Sequence, residues 1–178
     1  MKLLALRSLW VLMTVFFAGP LLAVTINQFE GSYEGSAEFE YEGEVQRRDM
    51  STEIAITKDG FTVSWTSVSY KTDGRTKAKT YTIEFVPSGR DDIYKSAMAK
   101  NLFGKDTPLN PLAGEPFVWA RLEDETLTVF SLYIDEFGEY EVQEFHRTLI
   151  EGGLDLLFRR VDSMAIVKEI QTVLRRVD

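Results

Sequence analysis

The chain of 178 residues contains no cysteine. Without it no disulfide can staple the fold, no cysteine-histidine zinc set can assemble, and the lipid-attachment cysteine of bacterial lipoproteins is missing. Histidine occurs once, as His146, and a single imidazole with scattered carboxylates is a poor metal set. Basic residues are in the minority, 20 Lys and Arg against 28 Asp and Glu, for a net charge of −8. That excess of acid repels the phosphates of nucleic acid and of anionic lipid. There is no Gly-x-Ser-x-Gly, no Gly-Lys-Thr phosphate loop, no His-Glu-x-x-His and no calcium loop of alternating Asp and Asn. Catalytic residues, metal and cofactor are therefore all expected to be none, and an enzyme is the less favoured class.

Long apolar runs are also lacking. The longest, from Leu9 to Phe17, follows Lys2 and Arg7 and is closed by Gly19-Pro20 and Leu21-Leu22-Ala23. It is shorter than the roughly 20 residues a spanning helix needs. The pattern is that of a secretory signal peptide over residues 1–23, cut after Ala23. Removing 23 of 178 residues leaves 155, enough for one core, so 24–178 is read as a single domain. Losing Lys2 and Arg7 takes the basic count from 20 to 18 against 28 acids, and the net charge to −10. Export without cysteine suits a bacterial periplasm or a secreted bacterial protein, with no stable membrane span after cleavage.

What the chain has instead is alternation. In GSYEGSAEFEYEGE, residues 31–44, Tyr33, Ala37, Phe39 and Tyr41 lie on one side of an extended chain and Glu34, Glu38, Glu40 and Glu42 on the other. Thr52, Ile54 and Ile56 alternate up to Lys58-Asp59-Gly60, a hairpin signal, and Phe61, Val63 and Trp65 return. Beyond Thr66 the apolar set switches to Val68 and Tyr70, which predicts a bulge near Ser67. Tyr81, Ile83 and Phe85 follow a turn at residues 72–75. Residues 92–100 read as either a short strand or helical turns. Three of the five prolines fall in 101–116, which predicts an irregular loop packed through Leu102, Phe103, Leu109 and Leu112, a possible lid. Strands resume at 117–123, 126–134, 139–149 and 154–161. Ile166, Val167, Ile170, Val173, Leu174 and Val177 are spaced by three and four after Asp162 or Ser163 as a cap, predicting an amphipathic helix over 163–177. The fold class is thus all-β, an antiparallel up-and-down barrel of eight to nine strands with one C-terminal helix.

On these features the chain resembles the lipocalins, or more broadly the calycins: an export signal, Gly31-Ser32-Tyr33 at the first strand, a sequential meander and a helix after it. The family carries Gly-x-Trp there, with a late Arg packed over the ring. Here Tyr33 replaces the Trp, and the resemblance implies Arg147, Arg159 or Arg160 as its cover. The family's Thr-Asp-Tyr signature is not found, nor a strand after the helix. A fold-level likeness of this kind does not carry function.

The residues themselves suggest a binding wall. Tyr33, Phe39, Trp65, Tyr81, Trp119, Tyr133 and Tyr140 make the expected interior aromatic, as apolar-ligand sites are. Arg121, two residues from Trp119, either aims a guanidinium at an anionic head group or pairs with Glu123 or Glu144 at the rim. His146 shares a face with Tyr140, Val142, Glu144 and Thr148 and is either an inward group or an ordinary wall histidine. Whether Trp119 lies on the face of Leu127 depends on a two- or three-residue turn at Glu123-Asp124-Glu125. The expected function is an exported, non-enzymatic binding protein for a small apolar or amphipathic ligand. The alternative is an envelope interaction or inhibitor protein whose barrel is filled by its own side chains.

Overall fold

The computed structural model describes residues 24–41, 43–70, 74–97, 99–100, 106–107, 109–162 and 165–178. The expected export segment 1–23 and the candidate cap Ser163 lie outside the described residues. Strands β1 (Gly31–Tyr41), β2 (Glu44–Ile56), β3 (Phe61–Tyr70), β4 (Thr76–Arg90) and β5 (Ile93–Ser96) follow one another as antiparallel neighbours. A two-stranded ribbon, β6 (Ala99–Lys100) with β7 (Asp106–Thr107), stands apart from them. Then β8 (Phe117–Glu123), β9 (Thr126–Ile134), β10 (Tyr140–Ile150), β11 (Gly153–Asp162) and β12 (Ala165–Arg176) continue the meander, and β12 pairs with β1 to close it. The barrel therefore has ten strands rather than eight or nine. A ten-stranded barrel is wider than the eight-stranded one whose interior side chains just fill.

The predicted C-terminal helix is a strand. Among the described residues there is no α-helix, and 165–176 runs extended between β11 and β1. The apolar positions fit either period, but Ile170 and Leu174 are the buried ones and Val173 lies outside. Two demands decide the outcome: β-branched residues pack well on a pleated surface, and the free edges of β1 and β11 would otherwise be unpaired. Glycine makes the closure tight. A Cβ on Gly153 would lie 2.1 Å from the Leu174 carbonyl oxygen, and one on Gly35 2.4 Å from that of Val173.

Inward residues at one end form the core. Tyr33, Ile54, Phe61, Val63, Phe85, Leu127, Leu154 and Leu174 are buried there, joined by Phe29 from a 3-10 turn at Ile26–Phe29. Phe61 stacks on Phe85 at 5.2 Å and meets Tyr94 edge-on at 5.0 Å. Gly31, with φ +145, lets the Arg176 guanidinium pass over it to lie 5.0 Å from the Tyr33 ring and to donate to the Tyr33 hydroxyl at 2.7 Å. Tyr33 in turn donates to the Phe29 carbonyl at 2.9 Å. The cation over Tyr33 is thus Arg176, not Arg147, Arg159 or Arg160; only a strand at the C terminus could bring it there.

Two further expectations are corrected. No bulge occurs at Ser67, since β3 keeps register with both neighbours throughout; register shifts sit instead at Pro87/Arg90 and at Arg160/Val161. What changes beyond Trp65 is the chemistry of the interior, as Ser67 and Ser69 replace the apolar residues. Within 101–116, Leu102 and Phe103 lie outside the described residues, and Leu112, in a 3-10 turn at Pro111–Ala113, is exposed rather than packed.

Candidate functional site

At the other end the barrel is hollow. Its cavity of about 370 Å³ lies within the range of small-ligand sites. The strands deliver to it an unusual set: Arg48, Lys77, Lys79, Arg147, Arg160 and Lys168, with no Asp or Glu among the described residues of the lining. Apolar groups share the wall, chiefly Trp65, Phe145, Leu156, Phe158 and Ile170. In a chain with more acids than bases, this charge is inside out. On β4 the inward residues are Lys77 and Lys79, opposite Ser69 and Ser67, while Thr76, Ala78 and Thr80 face outward. On β1 the outward residues are Glu34, Glu38 and Glu40.

Arg147 is the most buried of the six, only 1% exposed. It sits on the face of Phe145 and Leu149, with its guanidinium carbon 5.7 Å from the centroids of both the Trp65 and the Phe145 ring. Its single hydrogen bond goes from Nη1 to the Phe145 carbonyl at 3.4 Å, and its Nε has no partner. Among the described residues no carboxylate pairs with it. Burial pushes its pKa down to about 10, so it is charged at neutral pH. Such a cation is costly to hold without a counter-charge. Among the described residues, five of the six buried side-chain polar atoms without a hydrogen-bond partner belong to this lining: Arg48 Nε, Thr52 Oγ1, Ser67 Oγ, Arg147 Nε and Arg160 Nε, the last with Glu141 as an ion-pair partner at 3.5 Å.

Nearer the mouth, the aromatic pair of β1, Phe39 and Tyr41, carries three of the other cations. Lys168 Nζ lies 3.9 Å from the Tyr41 ring centroid and 4.7 Å from that of Phe39, and Arg48 lies over Phe39 at 5.4 Å. Arg160 donates to the Tyr41 hydroxyl at 3.2 Å and has Glu141 at 3.5 Å. Burial lowers the Arg48 pKa, partly offset by Tyr41.

Of the residues expected at the site, Trp65 and Tyr81 line the cavity and stack on each other at 5.4 Å. Phe39 supports its cations from behind. Tyr33 belongs to the core at the closed end, where burial raises its pKa against the opposing effect of Arg176, with Asp178 adding to the rise. The others are elsewhere. The β8–β9 turn has two residues, Asp124 and Glu125, so Trp119 lies opposite Phe130 and away from Leu127. Val118, Ala120 and Leu122 are the inward residues of β8, and Trp119 stacks on Phe130 at 4.9 Å on the outer wall. Arg121 is outside as well, paired with Glu123. On β10 the inward face is Gln143, Phe145, Arg147 and Leu149, which puts Tyr140 and His146 outside; Tyr133 is exposed at the open end of β9.

His146 makes a hydroxyl-histidine-carboxylate chain, Thr128 Oγ1 to Nδ1 at 2.9 Å and Nε2 to Glu144 at 3.0 Å. Its shape is that of a nucleophile, base and orienting group. Thr128 is 7% exposed, however, and none of the three lines the cavity. Among the described residues no group of three or more His, Asp or Glu could hold a metal ion.

The cationic lining goes beyond the aromatic wall that the sequence suggests, in which Arg147 and Arg160 figure only as candidate covers of the Tyr33 ring. The signal was present: Arg147 follows Phe145, Arg160 follows Leu156 and Phe158, and Lys168 precedes Ile170, each at a spacing of two on an apolar face. No family model matches the chain, and no curated protein matches it.

Proposed function

We propose that this chain is an exported, lipocalin-like carrier that binds a small amphipathic anion in the open half of its barrel. The anionic head group sits against Arg147, and its apolar body lies along Trp65, Phe145, Phe158 and Ile170. The observation that carries this reading is the buried Arg147, which has no carboxylate partner among the described residues, at the base of a cavity whose charged lining residues, among those described, are all basic. A carboxylate, sulfate or phosphate monoester would accept charge-assisted hydrogen bonds from it. The Gly31-Ser32-Tyr33 corner under Arg176 supports the lipocalin likeness. The acidic outer face of β1 argues for an aqueous surroundings rather than the apolar belt of a membrane barrel. No helix among the described residues is long and apolar enough to cross a membrane.

The test uses Trp65 as reporter in a Trp119→Phe background. Titration with dodecanoate is expected to change Trp65 fluorescence saturably, and Arg147→Met to weaken binding by about tenfold or more, the value of a charged hydrogen bond. Trp119→Ala, on the outer wall, is expected to bind as the parent does. No uptake of dodecanoate, dodecyl sulfate or dodecyl phosphate would overturn the reading.

A further inference from the structure

Five of the six cations of the cavity fall at two levels, Arg147 alone at the lower one, and Lys79 stands between them. Arg147 pairs across β10 and β11 with Leu156, and Arg160, four residues further along β11, pairs with Lys168. On the opposite wall, Trp65 lies beneath Arg147, and Ser69, four residues further along β3, is flanked by Arg48 on one side and Lys77 on the other. Both walls therefore place a second cationic level four residues above the first, about 13 Å along a strand. Between the levels, Phe158 opposite Ile170 and Met50 opposite Ser67 form a mainly apolar belt, with Lys79 beside Ser67.

Three of the four cations of the upper level, Arg48, Arg160 and Lys168, are held by neighbouring groups, while Lys77 is exposed to solvent. Arg48 and Lys168 lie over Phe39 and Lys168 over Tyr41, while Arg160 is fixed by the Tyr41 hydroxyl and by Glu141. Arg160 stands directly opposite Lys168, with Glu141 as its ion-pair partner. On β4, Lys77 and Lys79 share the face that lines the cavity and are themselves exposed to solvent.

We infer that the ligand is an elongated dianion, an apolar chain with an anionic group at each end, one on Arg147 at the floor and one on the Arg48, Lys77, Arg160 and Lys168 level at the mouth. This rests on the carrier reading above and narrows its ligand to a class of α,ω-diacids or their sulfated or phosphorylated counterparts. A ligand with one head group satisfies only one of the two levels.

Competition between dodecanedioate and dodecanoate, which share a chain length and differ by one terminal carboxylate, separates the cases on the full chain. Dodecanedioate is expected to bind at least about tenfold more tightly, and Arg48→Gln with Lys77→Gln to bring the ratio of the two affinities close to one. Arg160→Gln offers an independent route to the same collapse should that double variant fold poorly. Equal binding of the two acids by the parent would overturn the dianion inference while leaving the carrier reading standing. Failure of both acids, together with dodecyl sulfate and dodecyl phosphate, would overturn the carrier reading itself.

Discussion

Arg147 sets the terms at the scale of single residues. Its charge is desolvated and met only by two ring faces and one carbonyl. Replacing it by Met keeps much of the volume and removes the charge, so Arg147→Met is expected to raise the stability of the unliganded protein by about 1 to 4 kcal/mol. Urea midpoints check this, and an unchanged or lower midpoint would contradict it. The pH dependence follows from the lowered pKa. Burial takes it from the ordinary arginine range down to about 10, so between the two the unfolded chain binds more protons than the folded one. The penalty is complete below about pH 10 and is relieved as pH rises above it. The stability gap between Arg147→Met and the parent is therefore expected to be level from pH 7 to 9 and to narrow at higher pH. A residue that costs stability yet sits at the base of a cavity is what a binding site retains. Of the residue-scale site, Trp65 and Tyr81 were legible as aromatics on an alternating face. The cations were not, because burial of a Lys or Arg is rare and a strand pattern does not say which face meets the interior.

Elements tell a different story, since most were legible and the last was not. The hairpin at Lys58-Asp59-Gly60 joins β2 to β3, and the strands from 117 onward fall within a residue or two of their expected bounds. The turn at Glu151-Gly152 leads directly into Gly153, whose Cβ would strike the backbone of Leu174. Gly153→Ala is expected to destabilise the fold by about 1 to 3 kcal/mol, the range for an overpacked contact, by forcing β11 from β12. A circular dichroism spectrum of residues 24–178 should show β structure without a helical component. A helical signature would mean that 165–176 is not the closing strand. That segment was read as a helix because Ile166, Val167, Ile170, Val173, Leu174 and Val177 satisfy the spacing of three and four. The same residues include a period-two set, and the choice between them belongs to the partners β1 and β11 rather than to the segment.

Across the whole molecule, acids cover the outside of β1 while bases predominate in the cavity lining, so on the carrier reading an incoming anion is expected to be steered toward the mouth. Raising ionic strength from about 0.01 to 0.1 M shortens the screening length from about 30 to about 10 Å. The association rate of dodecanoate, followed by stopped-flow fluorescence, is expected to fall several-fold over that range, with the dissociation rate changing less. A salt-independent association rate would mean that the cations at the mouth do not steer. Ligand should also stabilise the fold by mass action, by about 2.7 kcal/mol at a hundred times its dissociation constant. From its sequence alone this protein is an acidic, cysteine-free, antiparallel β meander, because alternation and turn residues act over a few positions and need no knowledge of the rest. Only the tertiary structure decided the number of strands, the partner of the last one and the side on which six cations stand. Those depend on closure of the barrel, where the register of each strand is set by its neighbours and a shift of one residue exchanges inside for outside.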